Sequence, residues 1–305
     1  VITRQQAYAC GISRSHLESR IRGGRWRRLY GRVYATFTGD LPRPALLWAS
    51  LLRAGRGAVL THHSAAEVQG LLDEPAAAVH LAIPTSRRVA PMPGVVVRRR
   101  ADLSVVRHPT RLPPQTRIEE TVVDLTQVAG SFDEAVGWLT RAVGRRLTTA
   151  ARIRAVLTRR TRLRWRVELN AALTDVDDGC RSPLELRYLR EVERRHGLPA
   201  GQRQAVRPRR GGRWYDDVRY RGYRTRVELD GRAAHPAERR GDDDRRDNAA
   251  VEAGETVLRY GWREVTAEAC AVAAQVVTVL RRNGWSGEPV RCGPRCALPA
   301  PGSAS

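Results

Sequence analysis

At 305 residues with 42% hydrophobic composition, the chain is long enough for about two or three domains with real cores. No apolar run approaches the length of a transmembrane helix, and Val1–Cys10 lacks a charged segment followed by a long apolar one, so neither a membrane span nor a secretory signal is expected. The net charge of +22 favours a polyanionic partner, because each neutralised phosphate releases counterions.

Every basic residue is arginine. GC-rich codon usage alone would give that, so the placement of the arginines, not their number, must carry a nucleic-acid reading. The five cysteines (Cys10, Cys180, Cys270, Cys292, Cys296) are odd in number and scattered. They do not form a disulfide framework and fit a reducing cytoplasm.

Residues 1–40 read as helix, turn, helix and basic hairpin. Thr3 suits the N-cap of a short helix through Cys10, and Gly11 stops it. Ser13 caps a second helix, Arg14 to Arg22, ended by Gly23-Gly24. Two short helices joined by a Gly-containing turn are a helix-turn-helix signature. The alternation from Arg25 to Ala35 about Gly31 suggests a two-stranded wing. Residues 1–35 hold eight arginines and one acid, a net of +7. The functional reading is a winged helix on DNA, with Arg14, Ser15, Arg22, Arg25, Arg27, Arg28 and Arg32 facing the duplex. The alternative is a helical pair for protein contacts.

The run Ile2-Thr3-Arg4-Gln5-Gln6-Ala7, with Gly11-Ile12-Ser13, Gly24-Arg25-Trp26-Arg27 and Val33-Tyr34-Ala35, resembles the winged-helix domain of AbiEi-type antitoxins of type IV toxin–antitoxin systems. The middle region, 41–165, is similar to the segment C-terminal to that module in such proteins, around His63-Ser64-Ala65-Ala66 and Thr121-Val122-Val123-Asp124-Leu125. The resemblance implies a DNA-binding role without catalysis, and a cognate toxin or a homodimer as partner. Helices are expected near 44–54, 64–72, 117–129, 132–143 and 149–158, and strands near 79–83 and 94–98. His62 and His63 precede a helix and read as capping or packing residues.

Residues 166–285 alternate helix, strand, strand, helix, strand, helix. The spans 213–220 and 224–229 read as strands, and Gly222-Tyr223 suits a two-residue type II′ turn. That turn pairs Arg221 with Arg224 and therefore sets Asp217 opposite Glu228. Asp230 shares the face of Glu228, and Asp216 points away. Three carboxylates on one face repel one another, and a hard divalent cation, Mg²⁺ or Mn²⁺, is the common resolution. Ser182 suits an N-cap, Pro183 the first helical position, and Glu185 the capping-box position. Glu185 reads equally as a cap or as an outer part of the metal site.

Ser182-Pro183-Leu184-Glu185, Asp217-Val218, Val227-Glu228-Leu229-Asp230-Gly231, His235, Arg245-Arg246-Asp247-Asn248 and Val257-Leu258-Arg259-Tyr260 together resemble the endonuclease-like domains related to very-short-patch-repair endonuclease, within the PD-(D/E)XK superfamily. The resemblance implies that Asp217 binds metal, that Glu228 is the first acid of the second strand, and that His235 donates a proton or joins the metal shell. The pattern departs at Asp230, where lysine is usual. His235 reads equally as a hydrogen-bonded loop residue.

Cys292-Gly293-Pro294-Arg295-Cys296 supplies half of a zinc site at best, and 286–305 reads as a loose, flexible tail. Cys10, Cys180 and Cys270 read as packing residues. The expectation is an α/β (α+β) protein with a winged helix-turn-helix (1–40), a mixed middle region (41–165) and a restriction-endonuclease-like domain with a central mixed sheet (166–285). It would be a cytoplasmic protein that binds DNA and hydrolyses its phosphodiester bonds with Mg²⁺. The rival is a transcriptional regulator with a degenerate nuclease fold, and RNA processing would use the same charges.

Overall fold

Thr3 begins the first helix as a full capping box: its hydroxyl accepts from the Gln6 amide and the Gln6 side chain accepts from the Thr3 amide. The computed structural model describes residues 1–209, 212–230 and 251–299. It is a mixed α/β structure whose described strands form three sheets. The chain divides into two units, Val1–Trp138 with Ala142–Arg166, and Leu139–Arg141 with Val167–Ser305.

The first unit starts with β1 (Ile2–Thr3), α1 (Arg4–Ala9), α2 (Arg14–Arg22), β2 (Arg27–Tyr30) and β3 (Val33–Ala35). The strands form one antiparallel sheet in the order β1-β3-β2. Ser13 caps α2 by accepting from the His16 amide. A small core of Ala7, Leu17, Trp26 and Tyr34, joined by Ile2, Ile12 and Ile21, locks the two helices onto the hairpin. The apolar stripe Ile12, Leu17, Ile21 thus faces inward and leaves the arginines of α2 outside.

The same unit continues through α3 (Arg43–Ala54), β4 (Val59–Leu60), α4 (His62–Val68), β5 (Val79–Pro84), β6 (Val95–Arg100), α5 (Leu103–Val106), α6 (Ile118–Val128), α7 (Phe132–Gly144) and α8 (Ala150–Arg159). β4 pairs antiparallel with β5, and β5 parallel with β6. Leu47, Leu51, Leu60, Leu81 and Ile83 form the core between this sheet and α3.

The second unit contains α9 (Arg166–Asp177), α10 (Pro183–Arg187) running into a π-helical stretch (Tyr188–Arg194), then β7 (Gln202–Arg209), β8 (Gly212–Tyr220) and β9 (Thr225–Asp230). After the undescribed residues come β10 (Thr256–Gly261), α11 (Trp262–Ala267) and α12 (Ala269–Arg282). The sheet order is β10-β9-β8-β7, antiparallel from β7 to β9 and parallel between β9 and β10. Tyr188, Val192, Val218, Tyr220, Val227, Val276 and Leu280 form the core on one face.

Three local features differ from expectation. β7 was not expected as a strand: its sequence is polar and carries Pro208, which lacks a ladder donor, and such residues belong at a sheet edge. The β8–β9 connection is a short 3₁₀ turn, Arg221–Tyr223, followed by Arg224 at φ +44°, not a two-residue turn. The pairing of Val218 with Val227 and Tyr220 with Thr225 is nonetheless the register expected from the sequence. Residues 286–299 contain no helix or strand, yet Cys296 and Leu298 join the core of the second unit.

Candidate functional site

The charged residues of β8 and β9 divide into two groups. Asp216 is fully buried. Its Oδ1 accepts from Arg226 Nη1 and Arg207 Nε, each at 3.0 Å. Arg226 is itself fully buried, lies 3.1 Å from Glu255 and 4.0 Å from Glu228, and sits opposite Arg219 in the ladder. Glu255 also pairs with Arg219. Asp216 therefore belongs to the charged face that carries Arg226 and Glu228, where the sequence had suggested that it turns away.

Asp217 departs from the regular ladder. Its Oδ2 accepts from the Leu229 amide at 2.8 Å, so a side chain takes a donor that a strand neighbour would ordinarily receive. Across from it in β7, Gln204 has φ +48° and breaks the β7–β8 pairing between Arg203 and Ala205. The Gln204 side-chain amide donates to Glu185 Oε2 at 3.4 Å. Glu185 is buried near the N-terminus of α10, where Ser182 caps its amide and its own Oε2 accepts from the Arg181 amide at 3.0 Å. Burial, and then the charge of Asp217, push the Glu185 carboxyl up to about 7 against the bonds that hold it down. Glu185 and Asp217 thus lie close enough for the charge of one to act on the other.

Glu228 is bound on Oε2 by Arg259 Nε at 3.2 Å, while its buried Oε1 has no hydrogen bond among the described residues. Asp230 closes β9 and is exposed, paired in register with Gly261 of β10. His235, with Arg245, Arg246, Asp247 and Asn248, lies outside the described residues. The carboxylates of Asp217, Glu228 and Asp230 do not converge on one point among the described residues. The one group there whose ligand atoms lie within 4.8 Å of one another is His196, Cys270, Cys292 and Cys296. A group that could hold a metal ion is thus present, but it is not built of the hard oxygens that Mg²⁺ prefers.

In the N-terminal module, Arg14, Ser15, Arg22, Arg25, Arg27, Arg28 and Arg32 are all exposed. Arg14 pairs with Glu18 one turn along α2 at 2.9 Å, and the Ser15 hydroxyl lies 3.0 Å from that of Ser13. Arg28 lies over the Tyr34 ring and Arg20 over Trp26, which stiffens their stems at the surface.

A basic cleft of about 610 Å³ lies in the first unit and leaves little trace in the sequence. Arg98, Arg99, Arg100, Arg160 and Arg162 line it beside His62 and Asp124. Asp124 is chelated by Arg100 at 2.9 Å and Arg160 at 2.7 Å, and its Oδ2 accepts from Thr61 at 3.2 Å. Burial holds the His62 imidazole down to about 4, so it stays neutral near neutrality. The arginine run 98–100 is the one signal in the sequence that points there.

Comparison with known proteins adds little. No family model matches the chain, and no curated protein matches it. Among solved structures, the RV2827C protein from Mycobacterium tuberculosis is similar at 21% identity and a TM-score of 0.40, over 55% of this chain and 69% of that one. A likeness of that size carries no argument about function. Among the described residues, no helix is long and apolar enough to cross a membrane.

Proposed function

We propose that this chain is a DNA-binding protein whose second unit is a metal-dependent endonuclease-type domain. The observation that carries this reading is the order helix, three antiparallel strands and a fourth strand parallel to the third, with Glu185 of the helix beside Asp217 of the middle strand. Exposed arginines on α2 and the β2–β3 hairpin supply the grip on phosphates, and the N-terminal half of α2 supplies contacts to base edges.

The donors are hard oxygens, and the buried Glu228 Oε1 lacks a hydrogen bond among the described residues, which suits Mg²⁺ or Mn²⁺. In this reading the ion would draw together Asp217 and Glu228, whose carboxylates stand apart without it, with Asp230 completing or tuning the site. When bound, such an ion supplies charge stabilisation at a phosphoryl oxygen and acidifies water. Glu185, poised near 7, is about half protonated at neutral pH, which eases its repulsion from Asp217. Its backbone and Gln204 bonds keep its carboxyl oriented. His235 would assist proton transfer.

A second reading is a DNA-binding regulator, antitoxin-like, with a non-catalytic nuclease fold and a cognate toxin or second copy as partner. It is favoured by Arg259 on Glu228 and by an acid at position 230. One experiment separates them. Supercoiled plasmid is incubated with the full chain and Mg²⁺ or Mn²⁺, and binding is followed in parallel by mobility shift. The proposal expects nicking by wild type, loss of nicking with retained binding in Glu228→Ala, and loss of binding when Arg25, Arg27 and Arg28 become Ala. Binding without nicking favours the regulator. Equal nicking by Glu228→Ala sinks the assigned site.

A further inference from the structure

Cys270, Cys292 and Cys296 were expected to be a packing residue and two thiols of a loose tail. The fold brings them together with His196. His196 lies just after the π-helical stretch, Cys270 is the second residue of α12, and Cys292 and Cys296 lie on the segment that crosses both. The Val290 amide donates to the His196 carbonyl at 2.8 Å, and the Cys296 amide donates to the Gly293 carbonyl at 3.1 Å, which closes the Cys-x-x-x-Cys turn. The four candidate ligand atoms lie within 4.8 Å of one another. Cys270 Sγ is 3.3 Å from Cys292 Sγ.

The histidine is the second, independent observation. It is fully buried, its Nδ1 lies 3.1 Å from the Val192 carbonyl, and its Nε2 has no hydrogen-bond partner among the described residues. A carbonyl can only accept, so Nδ1 carries the proton and Nε2 presents a lone pair. A buried, unpartnered polar atom is costly in a core unless something binds it. A carbonyl that takes the Nδ1 proton and so fixes the tautomer is the usual arrangement behind a metal-bound imidazole.

We propose that His196, Cys270, Cys292 and Cys296 bind one zinc ion as a closed structural site. Three soft sulfurs and one imidazole suit zinc over magnesium. Zinc–sulfur bonds of about 2.3 Å at tetrahedral angles set the sulfurs roughly 3.8 Å apart, between the 3.3 Å of Cys270 and Cys292 and the 4.8 Å that bounds the group. All four positions come from the protein, so the ion has no open place for substrate. Binding ties the segment 290–296 to α12, which carries Cys270, and to the turn after the π-helical stretch, which carries His196. The site is independent of the carboxylates proposed for catalysis, which are hard oxygen donors.

The test uses the full chain, purified under reducing conditions without chelator or polyhistidine, and measures zinc by plasma mass spectrometry. The expected result is about one zinc per chain. His196→Ala and Cys292→Ser should lose it, while His196→Cys should regain it as a four-thiolate site. Cobalt in place of zinc should give thiolate charge-transfer and tetrahedral ligand-field absorption in wild type, absent in Cys292→Ser. Asp217→Asn should hold zinc as wild type does. Background zinc in the full chain, a Cys270–Cys292 disulfide by peptide mapping under those conditions, or full zinc in His196→Ala would each overturn the site.

Discussion

Adjacent aspartates in β8 have different work. Asp216 neutralises a cluster of arginines in a place with no water to do so, and Asp217 lies where the ladder opens toward Glu185. Removing one partner of a buried ion pair strands the other, at a cost of about 3–5 kcal/mol. Asp216→Asn should therefore lower the stability of the second unit by roughly that amount in urea unfolding. Asp217→Asn should cost roughly 1 kcal/mol, since an amide oxygen still accepts from Leu229. Equal losses would mean that both residues are structural. The two were hard to tell apart from sequence because strand alternation assumes an unbroken ladder. The interruption at Gln204 and Asp217 leaves no mark in composition. The acids themselves stood out in the sequence, as carboxylates at strand spacing among arginines.

Helix starts were the most legible elements, because a cap is a local chemical event. Thr3, Ser13 and Ser182 each accept from the amide three residues on, as their types and spacing predict. Thr3→Ala should cost about 1 kcal/mol, read as a lower midpoint for the first unit in thermal unfolding. No change would mean that the small core around Trp26 holds α1 unaided. The hairpin register was legible from the turn position although the turn itself is longer. Turn chemistry and register are set separately: side-chain packing of Val218 on Val227 fixes the pairing, and Arg224 in a left-handed conformation absorbs the extra length. The thiol and imidazole group was not legible. His196 and Cys292 are far apart in sequence, and only the path of the segment around Val290 past His196 brings them together.

At the scale of the molecule, the two units should respond oppositely to pH. Glu185 has a folded value near 7 against an ordinary 4.5, so the folded state binds more protons between those values. Its contribution to the second unit is best below about 4.5 and is lost as pH rises through 7. His62 is depressed from 6.5 to about 4, so the unfolded state binds more protons there. The first unit loses that stability as pH falls through the same window. Each shift is worth up to about 3 kcal/mol. Calorimetry should show Glu185→Gln raising the transition of the second unit at neutral pH and leaving it unchanged near pH 4.5. An equal rise at both pH values would assign the effect to packing.

The buried pair of Arg226 and Asp216 also constrains how this sequence can drift. A guanidinium keeps its charge at any physiological pH, so the sheet cannot accommodate it by deprotonation as it could a lysine. A lineage that loses either residue alone leaves its partner with only part of its compensation, Glu255 for Arg226 and Arg207 for Asp216, whereas one that exchanges both for apolar side chains of matched volume removes an acid and a base together. Among descendants of this chain, positions 216 and 226 should change together or stay as they are, and the acid at 217 should vary on a schedule of its own.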